Sequence, residues 1–233
     1  MLRRLLSKLR RSAGPSQAPV QTDVPVKVSS TEEPSPPWSS VVLVRQEDPA
    51  NRFGLEGYEC EAFATSMTST TGDPQIAAHF ATSRTARNES IAGTLPEGAV
   101  EHPCDLSYPC PGGVADGPLR KAEVMEDKWD IYLYGQRIYF CRSWTGRLVF
   151  VVDFSLDGAR LHFHRIWSQA GIDAPMPVRQ VDYLIKSHLE RRRAPHPLPS
   201  SLAREPGAIA MYSFSEYGRI CCFGSYEDTT TIP

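Results

Sequence analysis

Apolar and polar residues fall into strand-length runs between residues 128 and 167, KWDIYLYGQRIYFCRSWTGRLVFVVDFSLDGARLHFHRIW. Aromatic and β-branched residues dominate these runs, and short turn signals separate them. The turn signals lie at 134–137, 144–147 and 156–159. Because Asp157-Gly158 between apolar runs is a strong hairpin signal, the segment is predicted to form consecutive antiparallel strands.

Helical patterns are found on both sides of this meander. Asp73 suits an N-cap and Pro74 the first helical position, which predicts a helix over 74–87. A second helix is predicted over 177–193, where apolar residues recur at helical spacing and three arginines complement the negative end of the helix dipole.

The other segments are less regular. Residues 39–46 resemble a strand, 57–67 are ambiguous between strand and helix, 93–118 resemble a loop rich in proline and glycine, and 209–218 with 219–226 resemble a hairpin. The predicted fold is therefore α+β, with an antiparallel sheet made of the meander and a C-terminal hairpin. Two main helices pack on one face of this sheet.

The N-terminal residues differ from the rest in composition. Residues 1–11 form a basic amphipathic segment that would be an anchor on anionic lipid, an organelle transit peptide or a solvated tail. Residues 12–38 are rich in Pro and Ser and are predicted to be a disordered linker, because such a stretch buries too little apolar surface to fold. Residues 39–233 are predicted to form a single α+β domain.

Composition and charge narrow the classes of function. Of the 233 residues, 41% are hydrophobic and 22% are charged, as in a globular protein. Residues 1–38 contain six Lys or Arg and three Asp or Glu, a net charge of +3, whereas the remainder contains 19 and 24, a net charge of −5. The acidic body makes specific nucleic-acid binding unexpected, although residues 1–11 allow weak contact with a membrane surface.

Six cysteines are present without metal-ligand spacing, and no apolar run is long enough to span a membrane. These features predict free thiols in a soluble cytoplasmic protein, with a peripheral-membrane or organelle location through the basic N-terminus as the alternative. The sequence also lacks phosphate-loop, dinucleotide-binding, nucleophile-elbow and zinc-protease motifs, so no cofactor and no metal are predicted.

The first candidate site is the cluster Arg142, Ser143, Trp144 and Thr145 at the corner of a predicted hairpin. Arginine beside tryptophan is suited to binding an anion while the indole packs against a ring or a partner surface. In the structural alternative, Trp144 plugs the sheet and Arg142 pairs with a carboxylate such as Asp130 or Asp153.

The second candidate site contains His162 and His164, which share one face of a strand because they are two residues apart. Asp153 on the preceding strand is the nearest acidic candidate. This group would hold a metal together with a third ligand, would transfer protons, or would be a pair of ordinary surface histidines.

Two functions remain open, and the sequence does not decide whether the protein is an enzyme. The first is a non-enzymatic interaction domain that binds a protein or a small anionic ligand through an aromatic-rich sheet face with Tyr132, Tyr134 and Tyr139 exposed. The alternative is an enzyme for a small anionic or sugar-like substrate, in which Arg142 binds the anion and His162 or His164 is the acid-base group.

Overall fold

The computed structural model describes residues 35–113 and 115–232. The basic segment 1–11 and all but the last four residues of the predicted linker lie outside the described residues. The predicted domain boundary at residue 39 falls within the short 3-10 turn Pro37–Ser40.

Ten strands and four α-helices build the described part of the chain. The strands are β1 (Val42–Val44), β2 (Gly57–Glu59), β3 (Val100–Pro109), β4 (Gly117–Arg120), β5 (Trp129–Tyr134), β6 (Arg137–Arg142), β7 (Leu148–Asp157), β8 (Arg160–Ser168), β9 (Pro195–Pro197) and β10 (Phe223–Ser225). The helices are α1 (Glu61–Ser66), α2 (Pro74–Ser83), α3 (Met176–Leu184) and α4 (Pro206–Tyr217). This is an α+β fold, as predicted.

The larger sheet has six strands in the order β3-β8-β7-β6-β5-β4, and every neighbouring pair is antiparallel. Its centre is the predicted meander of β5 to β8, which is confirmed. The first turn contains Gly135 and Gln136, both with positive φ (55° and 61°). Two successive left-handed residues match the twist of a tight antiparallel hairpin.

Proline marks both edges of this sheet. The prediction of a loop over 93–118 is wrong for 100–109, which form β3 in spite of Pro103 and Pro109. β3 lies at one edge, and β4, which contains Pro118, lies at the other. A proline is tolerated on an edge strand because its missing N–H group is not needed by a second neighbour.

The two predicted helices are present. The Asp73 side chain accepts hydrogen bonds from the backbone N–H groups of Gln75 and Ile76, which confirms the predicted N-cap of α2. The second helix begins at Met176, one residue before the predicted start, and passes from α3 into a π-helical turn at Ile185–Leu189.

The predicted C-terminal hairpin is wrong. Residues 206–217 form α4, and only Phe223–Ser225 of the expected strands is extended. The buried residues Ile209, Ala210, Ser213, Phe214 and Tyr217 follow a helical spacing, and Pro206 occupies the first turn. The aromatic content of this segment favours a strand, but its buried positions recur at helical spacing, and the segment forms a helix.

β10 instead joins a second sheet in the order β1-β2-β10-β9, in which only the β10–β9 pair is parallel. Residues from this sheet, the helices and one face of the larger sheet form the main core, with Trp129, Phe140, Phe150 and Phe163 among its large side chains. We call this side of the larger sheet the core face.

The opposite face of the larger sheet carries Tyr132, Tyr134 and Tyr139, and all three are buried. The segment after α2 covers them: Tyr134 donates a hydrogen bond to the carbonyl of Arg87, and Tyr139 accepts one from the N–H of Gly93. The prediction that these three tyrosines are exposed is therefore wrong. No helix in the described residues is both long and apolar enough to cross a membrane.

Candidate functional site

Arg142 ends β6 on the core face of the larger sheet. It lies directly opposite Trp129 on β5, and its guanidinium carbon is 4.8 Å from the centre of the indole ring. Its Nη1 is 3.2 Å from the Glu216 carboxylate on α4. The arginine thus joins the sheet to α4 through a cation–π contact and an ion pair.

Glu216 replaces the partners that the sequence suggested for Arg142. Asp130 pairs with Lys121 at 2.6 Å, and Asp153 pairs with Arg137 at 2.7 Å. Burial lowers the pKa of Arg142, and the charge of Glu216 opposes this shift. The guanidinium remains charged because arginine keeps its proton in folded proteins.

The other three residues of the cluster have different environments. Ser143 is buried and donates a hydrogen bond of 2.6 Å to the carbonyl of Asp127. Trp144 is half-buried and donates from its indole nitrogen to the carbonyl of Met125 at 2.7 Å. Thr145 is exposed, and its hydroxyl accepts from the N–H of Arg147 at 3.3 Å. Ser143 stabilises the turn between β6 and β7, whereas Arg142, Trp144 and Thr145 line a cavity.

A first cavity, which we call the arginine cleft, lies between the core face, α3 and α4. Its volume is about 360 Å³. Its charged residues are Arg142, Arg147, Arg179, Asp173 and Glu216. Trp129 and Tyr212 supply aromatic surface, and the three guanidinium groups outnumber the two carboxylates.

Arg179 on α3 is 7% exposed, and no Asp or Glu of the described residues lies within ion-pair distance of it. One Nη donates to the backbone carbonyls of Ser225 and Glu227, but Nε has no hydrogen-bond partner in the described part of the chain. Burial lowers its pKa, and Asp228 opposes this from beyond ion-pair distance. Oε1 of the adjacent Gln180 is also buried without a partner.

A second cavity of about 720 Å³, which we call the corner groove, lies on the other side of Arg142 and Arg147. Trp144, Thr145, Lys128 and residues 67–70 line it, with part of α4. Its lining residues, all within the described ranges, include three cations and no carboxylate. Arg142 and Arg147 therefore belong to the walls of both cavities.

Lys128 is the most unusual group of the corner groove. Its Nζ lies 4.5 Å from the centre of the Trp144 ring and 4.8 Å from that of Phe214. Burial and, second, the charge of Arg142 lower its pKa to about 8, while Glu126 and Asp127 act in the opposite direction. This lysine could not be predicted as a site residue, because a single Lys before a strand resembles an ordinary surface residue.

The histidine candidates lie away from both cavities. His162 is paired with Ser155 on β7 and faces away from the core, since its neighbours Leu161 and Phe163 are core residues. His164 is the extra residue of a bulge in β8, and its Nε2 is 2.7 Å from the Ser155 hydroxyl. Arg142 and His162 are thus on opposite faces of the sheet.

Asp153 is opposite Arg137 on the face that carries the buried tyrosines. Its carboxylate also accepts from the indole N–H of Trp167 at 3.2 Å and lies 3.4 Å from Arg165. These partners occupy the carboxylate. The structure therefore does not assemble Arg142, the histidines and Asp153 in one pocket. Across residues 35–113 and 115–232, no three His, Cys, Asp or Glu residues converge in a way that would hold a metal ion.

Comparison of the chain with protein-family models, with curated proteins and with solved structures gave no match. The functional argument therefore depends on the two cavities and their charges.

Proposed function

We propose that this is a non-enzymatic binding domain and that its ligand is a small anionic molecule held in the arginine cleft. The observation that carries the proposal is the buried guanidinium of Arg179, which has no acidic partner within ion-pair distance in the described chain. A buried charge without a partner is costly, so an anion that enters the cleft gains a strong interaction.

The surroundings of Arg179 support the same ligand class. Arg142 and Arg147 add positive charge to the cleft, and guanidinium groups bind carboxylate or phosphate in a bidentate geometry. Trp129 and Tyr212 offer aromatic surface to an apolar part of the ligand. A carboxylate attached to a ring fits both features.

Isothermal titration calorimetry of the full chain with phosphate, acetate and benzoate tests the proposal. We expect benzoate to bind more tightly than acetate, with a Kd of about 1 mM or lower. Arg147 is exposed and forms no ion pair with a described residue, so Arg147→Gln should fold and should weaken binding about threefold to tenfold. Arg45→Gln, an exposed substitution outside the cleft, should leave Kd unchanged.

Absence of heat for all three anions would overturn the proposal, as would equal weakening by Arg147→Gln and Arg45→Gln. Arg179→Gln tests the contribution of the buried guanidinium directly, because it removes that group from the cleft. Its folding is checked first by circular dichroism, because Arg179 also holds backbone carbonyls near the C-terminus. The folded variant should lose most of the benzoate affinity.

We further propose that the domain works in the cytoplasm. All six cysteines are free thiols, and Cys60, Cys141, Cys221 and Cys222 are buried. Free thiols suit a reducing compartment.

A further inference from the structure

The corner groove contains one amine, the Nζ of Lys128. We propose that this amine is a nucleophile that captures a small aldehyde or ketone carrying an anionic group, as a reversible imine. The inference concerns a different cavity from the arginine cleft, because Lys128 does not line that cleft.

The position of Lys128 favours attack on a ligand in the groove. The residue is only 6% exposed, yet it lines the cavity. Its Nζ donates to the Ser69 hydroxyl and to the carbonyl of Met125, each at 3.0 Å. A neutral amine has two N–H groups and one lone pair. The two hydrogen bonds use both N–H groups and hold the nitrogen in place, so the lone pair is free to attack a carbonyl carbon.

Burial favours the neutral form of Lys128, and the charge of Arg142 adds to this effect, whereas the charges of Glu126 and Asp127 oppose it. No carboxylate of the described residues is within ion-pair distance of Nζ, and Arg142 and Arg147 line the same groove. With a pKa of about 8, about one amine in ten is neutral at pH 7, compared with about one in 3,000 for an ordinary lysine. A desolvated lysine beside other cations is a recurrent form of activated amine.

The same arginines select the ligand. A carboxylate or phosphate on the carbonyl compound would be bound by Arg142 and Arg147 while its carbonyl carbon meets Nζ. Trp144 and Phe214 place aromatic ring surface 4.5 and 4.8 Å from Nζ, against which the carbon atoms of the carbonyl compound would pack.

The reaction is a condensation. The Nζ lone pair forms a bond to the carbonyl carbon as the C=O π bond breaks, and one of the two amine protons passes to the oxygen to give a carbinolamine. The nitrogen lone pair then breaks the C–O bond, and the hydroxyl group leaves as water with the second amine proton. The product is a C=N bond, and addition of water reverses the reaction. The Ser69 hydroxyl, 3.0 Å from Nζ, is positioned to relay a proton.

Reductive trapping on the full chain tests the inference. The protein is incubated at pH 7 with glyoxylate, an aldehyde that bears a carboxylate, and sodium cyanoborohydride, and labelled lysines are identified by peptide mass spectrometry. N-acetyl-lysine methylamide in the same solution serves as the ordinary amine. Lys121, which is ion-paired with Asp130, is the control within the protein. We expect Lys128 to be labelled at least tenfold faster than either.

Acetaldehyde tests the anion requirement, because it has the reactive carbonyl without the charge. Arg147→Gln should slow labelling of Lys128 by glyoxylate at least threefold and leave labelling by acetaldehyde unchanged. The inference is overturned if Lys128 reacts no faster than Lys121 or the model amine, or if Arg147→Gln affects both aldehydes equally. Lys128→Arg, which removes the nucleophile and keeps the charge, should abolish this label while benzoate affinity persists, which separates this result from the proposed function.

Discussion

Arg142 on β6 donates a hydrogen bond of 3.2 Å to the backbone carbonyl of Glu216, close to the end of α4. It also donates to the carbonyl of Ser215. The last four carbonyls of a helix have no partner within the helix, so the arginine satisfies two of them and places positive charge at the negative end of the helix dipole.

Loss of this contact should destabilise the domain. We expect Arg142→Gln to lower the free energy of unfolding by about 2 kcal/mol, since hydrogen bonds to a charged group are worth about 1.5–3 kcal/mol. Urea denaturation followed by tryptophan fluorescence measures the change. Arg165→Gln is the control: this side chain is 44% exposed, and its surface pairs should contribute less than about 1 kcal/mol. Equal losses for the two variants would contradict the capping role.

Gly218, which follows α4, should tolerate no side chain. Its φ is 68°, and an added Cβ would collide with the backbone carbonyl oxygen of Glu126. Gly218→Ala therefore forces the backbone to move, and we expect a loss of more than about 3 kcal/mol or failure to fold. Gly54 has a similar φ of 66° but open space around it, so Gly54→Ala should cost only about 1 kcal/mol. Thermal unfolding of both variants compares a backbone collision with conformational strain alone.

His196 should make the domain sensitive to acid. It is fully buried, its Nε2 is 2.7 Å from the Ser213 hydroxyl, and burial lowers its pKa to about 3. Between this value and about 6.5, its pKa in the unfolded chain, the unfolded state binds the additional proton. Stability is therefore unaffected by this histidine above pH 6.5 and falls as the pH decreases towards 3.

Removal of the titrating ring should flatten this dependence. In the lower part of the window, each such histidine contributes a slope of about 1.4 kcal/mol per pH unit. We expect His196→Gln to reduce the slope of unfolding free energy against pH by about that amount between pH 5.5 and 4.5. Urea titrations at several pH values measure it. His188, whose pKa is also lowered to about 3 by burial, should still contribute in the variant. An unchanged slope would refute the assignment to His196.

A buried ion pair between α3 and the π-helical turn that follows it should behave as a unit. Asp182 and Lys186 are 2.9 Å apart, nearly inaccessible, and Asp182 also accepts a hydrogen bond of 2.7 Å from the Tyr108 hydroxyl. Lys186→Met alone should cost about 3–5 kcal/mol, because it leaves a buried carboxylate without its cation. The double variant with Asp182→Asn should recover part of this loss. Chemical denaturation of both singles and the double gives the interaction energy, and strict additivity would contradict the prediction.

Local patterns were sufficient for the centre of the fold. The meander follows from alternating residues and turn signals, and α2 follows from Asp73 and Pro74, because all of these act within a few residues of sequence. β3 was missed because its prolines disfavour a strand in general, and only its edge position makes them acceptable. α4 was missed because aromatic content suggested a strand more strongly than the spacing of buried residues suggested a helix.

The residues that line the two cavities could be predicted only in part, because local patterns do not show contacts between residues that are distant in sequence. Arg142 and Trp144 were selected by residue type, and both border a cavity. Glu216, the partner of Arg142, is 74 residues away in sequence, so no local pattern identifies it. Arg179 stands at a polar position of the amphipathic pattern, which predicts exposure, whereas the structure buries nearly every residue of this helix. Arg179 is a candidate anion-binding residue because no acidic side chain of the described residues lies within ion-pair distance of it, and only the three-dimensional structure shows this.

The wall shared by the two cavities has a thermodynamic consequence. Negative charge placed on one side of Arg142 and Arg147 reduces the positive potential available on the other side. Two anionic occupants therefore disfavour each other, and by reciprocity each raises the dissociation constant of the other by the same factor. Negative cooperativity between anions in the arginine cleft and the corner groove is thus the expected outcome of this shared wall.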